Sequence, residues 1–335
     1  MARKKRKTKQ KKKNTHYLLY IIYSLIALIV MGGVFIAGYY TGNTHAQHKQ
    51  EDALAKQHLQ HKQSRLKEHH TNVQTTKSVQ EKLKKVLKEE IKPYNTASHE
   101  IEDESLANPP RIIPPHKQIY TTKPKLAIVI DDVQTAAHIR AIKSLDLVVT
   151  MSFLPPRAGR LNSAKLAAKE SFYMVHLPLE AMHFGAEEPH TLRVSDSQKQ
   201  VMQRITQIKK LFPRVHYLNN HTGSKFTSNE EAMSKLIFAL QKNDILFVDS
   251  RTIGKTKAPK VLEHFGMKYV SRDIFLDHHP DKAYIKEQIK KAIALAKKRG
   301  HAIAIGHPHK ATLEALYESK ELLKQVDLVQ INQIY

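Results

Sequence analysis

Six short stretches in the last two-thirds of the chain constrain its fold most: LAIVIDD (Leu126–Asp132), MVHLPLE (Met174–Glu180), LNNHTGS (Leu218–Ser224), LFVDSRT (Leu246–Thr252), SRDIFLD (Ser271–Asp277) and IAIGHPH (Ile303–His309). Four open as apolar, partly β-branched runs, the pattern of parallel strands buried on both faces. Each carries Asp, Glu or His at or just past its apolar part. In an α/β barrel the C-terminal ends of the strands converge on one mouth, and chemistry is done there. One acid at a strand end is ordinary. Acids and histidines repeated from one strand end to the next point to a metal-dependent hydrolase.

The pattern around these stretches predicts strands at Leu126–Ile130, Val148–Phe153, Tyr173–Leu177, His216–Leu218, Ile245–Asp249, Lys268–Val270, Ala302–Ile305 and Leu328–Ile331, with helices between them. Ser195 with Gln198 and Ser228 with Glu231 read as capping boxes that start two of those helices. Repeated β-α alternation implies a parallel sheet, and about seven or eight strands favour a barrel over a doubly wound sheet. The globular part begins near Lys123 and is long enough for one sizeable core. It contains no internal repeat and no glycine-rich phosphate loop.

The first third is different. Residues 1–16 form a basic tail, with nine of the first thirteen residues Lys or Arg. Tyr17–Tyr40 has no charged residue and is long enough to span a bilayer as a helix, with tyrosines at both ends where the interfaces would lie. The basic tail should stay in the cytoplasm and the remainder should lie outside the inner membrane, in the periplasm. The THAQ sequence (Thr44–Gln47) is a poor cleavage site, so an uncleaved anchor is expected rather than a signal peptide. Residues 41–122 read as a polar helical or disordered linker, with His45, His48, His58, His61, His69 and His70 scattered through it. Val79, Leu83, Val86 and Leu87 make a short amphipathic patch suited to a weak coiled coil, and NPPRIIPP (Asn108–Pro115) makes a stiff link.

Composition narrows the function. The formal charge is +24, but it is concentrated in the tail and linker, so no nucleic-acid partner is expected. There is no cysteine, which excludes a disulfide framework, a Cys-based zinc site and a thiol nucleophile.

The polar residues at the strand ends each have two readings. Asp131 and Asp132 could bind a metal and reach substrate or water, or could serve the start of the next helix. His176 lies inside an apolar strand and suits a neutral imidazole ligand, with Glu180 beyond it as a ligand or as an orienting group. His221 could bind metal while Asn219 and Asn220 hold substrate or support the site; an Asx-type turn is the alternative. Asp249 with Arg251, and Asp273 beside Arg272, fit either structural ion pairs or substrate-binding and supporting roles, and Asp277 shares that ambiguity. His307 follows a buried strand and is a candidate general acid, whereas His309 is expected in solvent.

The order IDD, HLPLE, NNHTGS followed by FT, DSRT, RDIFLD and AIAIGHP resembles the divergent polysaccharide deacetylase family, a remote branch of the carbohydrate esterase family 4 deacetylases. The resemblance runs from about Lys125 to Leu316. It implies a deformed (β/α) barrel of about seven strands. It implies one divalent metal, usually zinc, that activates water against an N-acetyl group of a sugar in the cell envelope, peptidoglycan being one such glycan. By position, Asp131 matches the general base, Asp132 the metal-binding aspartate, His176 the first histidine of an H-x-x-x-H motif and His307 the late histidine that protonates the leaving amine. Glu180 stands where the second histidine would be. Either Glu180 ligates or His221 supplies the missing imidazole; the second is preferred, giving an Asp132–His176–His221 site. This departure leaves a rival reading on the same fold: an envelope-assembly factor that binds glycan or metal without turnover.

Overall fold

The structure is a computed structural model. It describes residues 123–335 continuously and, before them, residues 23, 24, 26, 28–35, 38, 81, 83–85, 87, 101 and 106. The chain divides into two compact units, Met1–Lys77 and Ser78–Tyr335. In the first, the described positions are helical and carry exposed apolar side chains such as Ile29 and Phe35. Among the described residues no helix is long and apolar enough to cross a membrane. The expected tail, much of the expected span and most of the expected linker lie outside the described residues.

The second unit is built on one nine-stranded sheet. Its strands are β1 (Lys125–Val133), β2 (Thr150–Phe153), β3 (Met174–Leu179), β4 (Tyr217–Thr222), β5 (Leu246–Asp249), β6 (Val270–Ser271), β7 (Ile274–Phe275), β8 (His301–Gly306) and β9 (Asp327–Val329). Every pairing is parallel, in the order β6-β5-β4-β3-β2-β1-β8-β7, with β9 beside the start of β1. The central strands are buried along nearly their whole length because helices cover the sheet. This is a curled, half-barrel α/β fold.

The curl is closed by chain rather than by a strand pair. β6 belongs to β5 and β7 to β8, and the link between them is Arg272–Asp273. The Arg272 N–H donates to the Asp249 carbonyl at 2.9 Å, and the Asp273 N–H to the Ile303 carbonyl at 2.9 Å. The Arg272 side chain is fully buried; its guanidinium donates to the Ser250 carbonyl at 2.7 Å and the Arg251 carbonyl at 3.0 Å, and lies over the Phe275 ring. β7 was absent from the expected strands because two residues are too few to show a period.

Two helix starts also differ from expectation. The capping box of the Gln198–Leu211 helix is Ser197 with Gln200, two residues after the expected pair. The Glu230–Gln241 helix is capped by Asn229, whose side chain accepts from the Ala232 N–H. A capping residue must have extended backbone while its side chain reaches forward. Ser197 and Asn229 do; Ser228 is helical, ending the preceding turn.

The main apolar cluster gathers residues of the helix-covered face of the sheet, such as Ile128, Phe153 and Phe247, with helix residues such as Ile205, Leu236 and Ile289. Leu83 and Leu87 are buried in the same cluster, so that part of the amphipathic patch packs on the domain.

Candidate functional site

β1 ends in an irregularity that aims its acids. Ile130 pairs with Met151, but the next partner pair is Val133 with Phe153, so the register shifts across Asp131 and Asp132. Asp132 has φ of 54°, a left-handed conformation costly for a residue with a Cβ. Thr222, just past His221, and Arg251, past Asp249, are left-handed too, with φ of 51° each. Strained backbone at several strand ends around one mouth is the local signature of a site.

β3 lies beside β4 with His176 opposite Asn219 and Pro178 opposite His221. His176 Nε2 lies 3.7 Å from Asp132 Oδ1, and His221 Nδ1 lies 3.2 Å from the same oxygen. The two imidazoles meet edge to face, with centroids 5.0 Å apart. One ligand-type atom from each of Asp132, His176 and His221 falls within 4.8 Å of the others, and all three residues are buried.

Asn219 organises this cluster. Its amide nitrogen donates to both Asp131 oxygens, at 3.0 and 2.8 Å, and to Ser250 Oγ at 3.0 Å. A carboxylate only accepts, so the amide orientation is fixed and its oxygen must face the other way. That oxygen accepts from Ser152 Oγ at 2.6 Å and lies 3.1 Å from His176 Nδ1. His176 Nδ1 therefore carries a proton, and its Nε2 faces Asp132 Oδ1. Buried Asn219 thus couples the orientation of Asp131 to the tautomer of His176.

Burial acts to raise the Asp132 pKa, but His221, and then His307 and His176, hold it well below the ordinary carboxylate value. His307 follows the end of β8, the strand paired with β1 on the side opposite β2. Asp277 holds it twice: Oδ2 accepts from the His307 N–H at 2.7 Å, and Oδ1 faces His307 Nδ1 at 3.0 Å. Thr312 Oγ1 donates to Asp277 at 2.6 Å. Burial disfavours the Asp277 charge, yet His307 keeps its pKa below the usual value. His309 is not in solvent: half-buried, it stacks on His307 with centroids 5.5 Å apart. Buried Asp277 and His307 with half-buried His309 form a second carboxylate–imidazole group, whose carboxylate is already engaged by His307 and Thr312.

Other residues singled out in the sequence stand apart. Glu180 is turned from the cluster: Oε1 pairs with Lys225 Nζ at 2.7 Å, and Oε2 accepts from the Val194 N–H at 2.9 Å. Burial would raise its pKa, but those contacts lower it. Asn220 accepts from the Ser250 N–H at 2.9 Å and donates to the Thr222 carbonyl, pinning β4 to the end of β5. Asp249 accepts from the Arg251 N–H, Thr256 Oγ1 and Tyr269 OH, and burial pushes its pKa up. The Arg251 guanidinium reaches the Arg272 carbonyl. Asp273 pairs with Arg299 at 2.9 Å and accepts from the Ile303 N–H. Glu180, Asn220, Asp249 and Arg251 build the frame at the strand ends, whereas Asp273 precedes β7 and is tied to the start of β8.

Sequence reasoning passed over Ser152, Ser250 and Thr312, each of which bonds a polar residue of the mouth. Nothing in their local sequence marks them, since their roles depend on neighbours 30 or more positions away.

The curled parallel sheet with carboxylates and imidazoles at its C-terminal mouth defines a deacetylase-like α/β protein. The chain belongs to the divergent polysaccharide deacetylase family, whose model matches residues 128–335. The uncharacterized protein YibQ of Escherichia coli K12 is 35% identical over 196 residues, 58% of this chain and 61% of the E. coli protein. The chain thus matches less than two-thirds of that relative. An uncharacterized Haemophilus influenzae protein is 32% identical over 216 residues, covering 63% of this chain and 76% of its own length. The crystal structure of the uncharacterized protein ATU2773 from Agrobacterium tumefaciens C58 shares the fold, with a TM-score of 0.55 at 17% identity over 65% of this chain and 92% of that one.

Proposed function

We propose that the protein is a membrane-anchored, metal-dependent hydrolase that removes acetyl groups from an N-acetylated envelope glycan such as peptidoglycan. The observation carrying this reading is the buried Asp132–His176–His221 cluster, flanked by Asp131 on one side and the Asp277–His307 pair on the other.

The residues suit a divalent cation. Among the described residues both Asp132 oxygens are buried without a hydrogen bond of good geometry, and ring nitrogens of His176 and His221 face Oδ1. Two imidazoles and one carboxylate are a common donor set for zinc, with a position left open. Asp132, His176 and His221 would hold the ion, and Glu180, tied to Lys225, would not. When bound, such an ion acidifies water and polarises an amide carbonyl.

Asp131 lies beside this cluster, fixed by the Asn219 amide, and takes the proton of the attacking water. His307 gives a proton to the departing sugar amine, with Asp277 holding the imidazole upright. The basic tail and the uncharged Tyr17–Tyr40 run support an inner-membrane anchor that leaves the domain in the periplasm.

The test is acetate release from N-acetylated glycan oligomers by the purified, zinc-loaded chain. Asp131→Asn and His307→Ala should keep their metal and lose roughly 10²–10⁴-fold in rate, the usual contribution of a positioned acid or base. A wild-type protein that binds zinc and releases no acetate from any such glycan would make it a binding factor instead.

A further inference from the structure

We propose that the domain carries a second ligand site, a carboxylate-binding cavity built around Arg204. Arg204 lies on the buried face of the Gln198–Leu211 helix, with Val201, Ile205 and Ile208. It is only 8% exposed, and its Nε is buried without a hydrogen-bond partner among the described residues. Among the described residues its guanidinium donates only to Gln207 Oε1, at 2.9 Å, a neutral acceptor one turn along the same helix. Burial pushes its pKa down to about 10, with no carboxylate acting against that shift, and it remains a cation at neutral pH. A buried charge without a counter-charge is costly, so an anion that reached Arg204 would be stabilised by pairing with it.

Arg204 borders a surface cavity of about 370 Å³. None of Asp131, Asp132, His176, His221 or His307 lines it, so it is separate from the site above. Thr191, Gln200, Gln203 and Gln207 surround it with a hydroxyl and three carboxamides, and Asp196 is an acid in the same wall. The guanidinium fork matches a carboxylate, and the amides suit the hydroxyl or peptide groups beside one. Asp196 repels a doubly charged anion more than a singly charged one, which favours carboxylate over phosphate. Sugar acids and peptide C-termini both present that group.

Calorimetric titration of the full-length protein with glucuronate and with trialanine tests this, with glucose and inorganic sulfate as controls. At least one carboxylate probe should bind, glucose should not, and sulfate should bind more weakly; whichever probe wins identifies the source. Arg204→Met keeps the apolar stem and should weaken binding at least tenfold. Its melting temperature should not fall, because it removes an uncompensated buried charge. Arg204→Lys keeps the charge without the fork and should also weaken binding. Asp132→Ala should bind the probe as wild type does, so this proposal and the deacetylase reading fail independently. Absence of binding by both carboxylates, sulfate binding as tight as theirs, or affinity that survives Arg204→Met overturns the proposal.

Discussion

Glu180 and His221 show how much one side chain's direction decides. Glu180 follows β3 at the motif position of a ligand, yet its carboxylate is held by Lys225 and Val194. His221 sits on the neighbouring strand, with Nδ1 3.2 Å from Asp132. Asp132→Ala, His176→Ala and His221→Ala should each reduce bound zinc to background in elemental analysis, whereas Glu180→Gln should retain it. Zinc lost by Glu180→Gln and kept by His221→Ala would assign the third ligand to Glu180.

His138, on the Ala136–Lys143 helix after β1, is a second residue with a measurable signature. Burial drives its pKa from 6.5 to about 4, and its Nδ1 has no hydrogen bond among the described residues. A folded pKa below the unfolded one means that the unfolded chain takes up the proton first on acidification. Its contribution is therefore complete above pH 6.5 and disappears as the pH falls toward 4. Urea midpoints should show that His138→Gln loses less stability than wild type over that range, the difference approaching about 3 kcal/mol. Equal acid sensitivity in both proteins would remove His138 from the account.

Among the secondary elements, β1 and β4 do the aiming. The β1 register shift turns Asp131 and Asp132 into the mouth, and the β4 end depends on Gly223. Gly223 has φ of +98°, and a Cβ there would sit 2.8 Å from the Leu179 Cβ. Gly223→Ala should thus cost about 1–3 kcal/mol in chemical denaturation from backbone strain and overpacking. It should also weaken zinc binding, since His221 lies two residues before it. A variant as stable as wild type would mean that the β4 end relaxes freely.

For the whole molecule, the asymmetry of charge about Tyr17–Tyr40 predicts the orientation in the membrane. A reporter active only in the periplasm, fused after Tyr335, should be active, and the same reporter fused at the N-terminus should be silent. The opposite pattern would reverse the topology. Within the second unit, Leu83 and Leu87 belong to the main apolar cluster, so chain that composition marks as linker contributes to the core.

The alternation of apolar strands with amphipathic helices, and an acid or histidine at strand after strand, could be read from the sequence alone. Both are local periodicities, and the sheet forms from them with little ambiguity: most expected strands lie within a residue or two of the observed ones. The mouth as a place was legible for the same reason, because parallel strands put all their C-terminal ends together. What each polar residue touches there was decided only by tertiary structure. The pattern of strand-end acids alone does not separate Asp249, Asp273 and Glu180 from Asp131 and Asp132; the ion pairs and hydrogen bonds that hold those three carboxylates appear only in the fold. Asn219 became the organiser because β3 and β4 set it opposite His176 while Asp131, Ser152 and Ser250 arrived from other strand ends. The Arg272–Asp273 closure and the uncompensated Arg204 were likewise outside the reach of pattern. A hydrogen-bond partner far along the chain leaves no period behind, and only packing determines which charge meets its counter-charge.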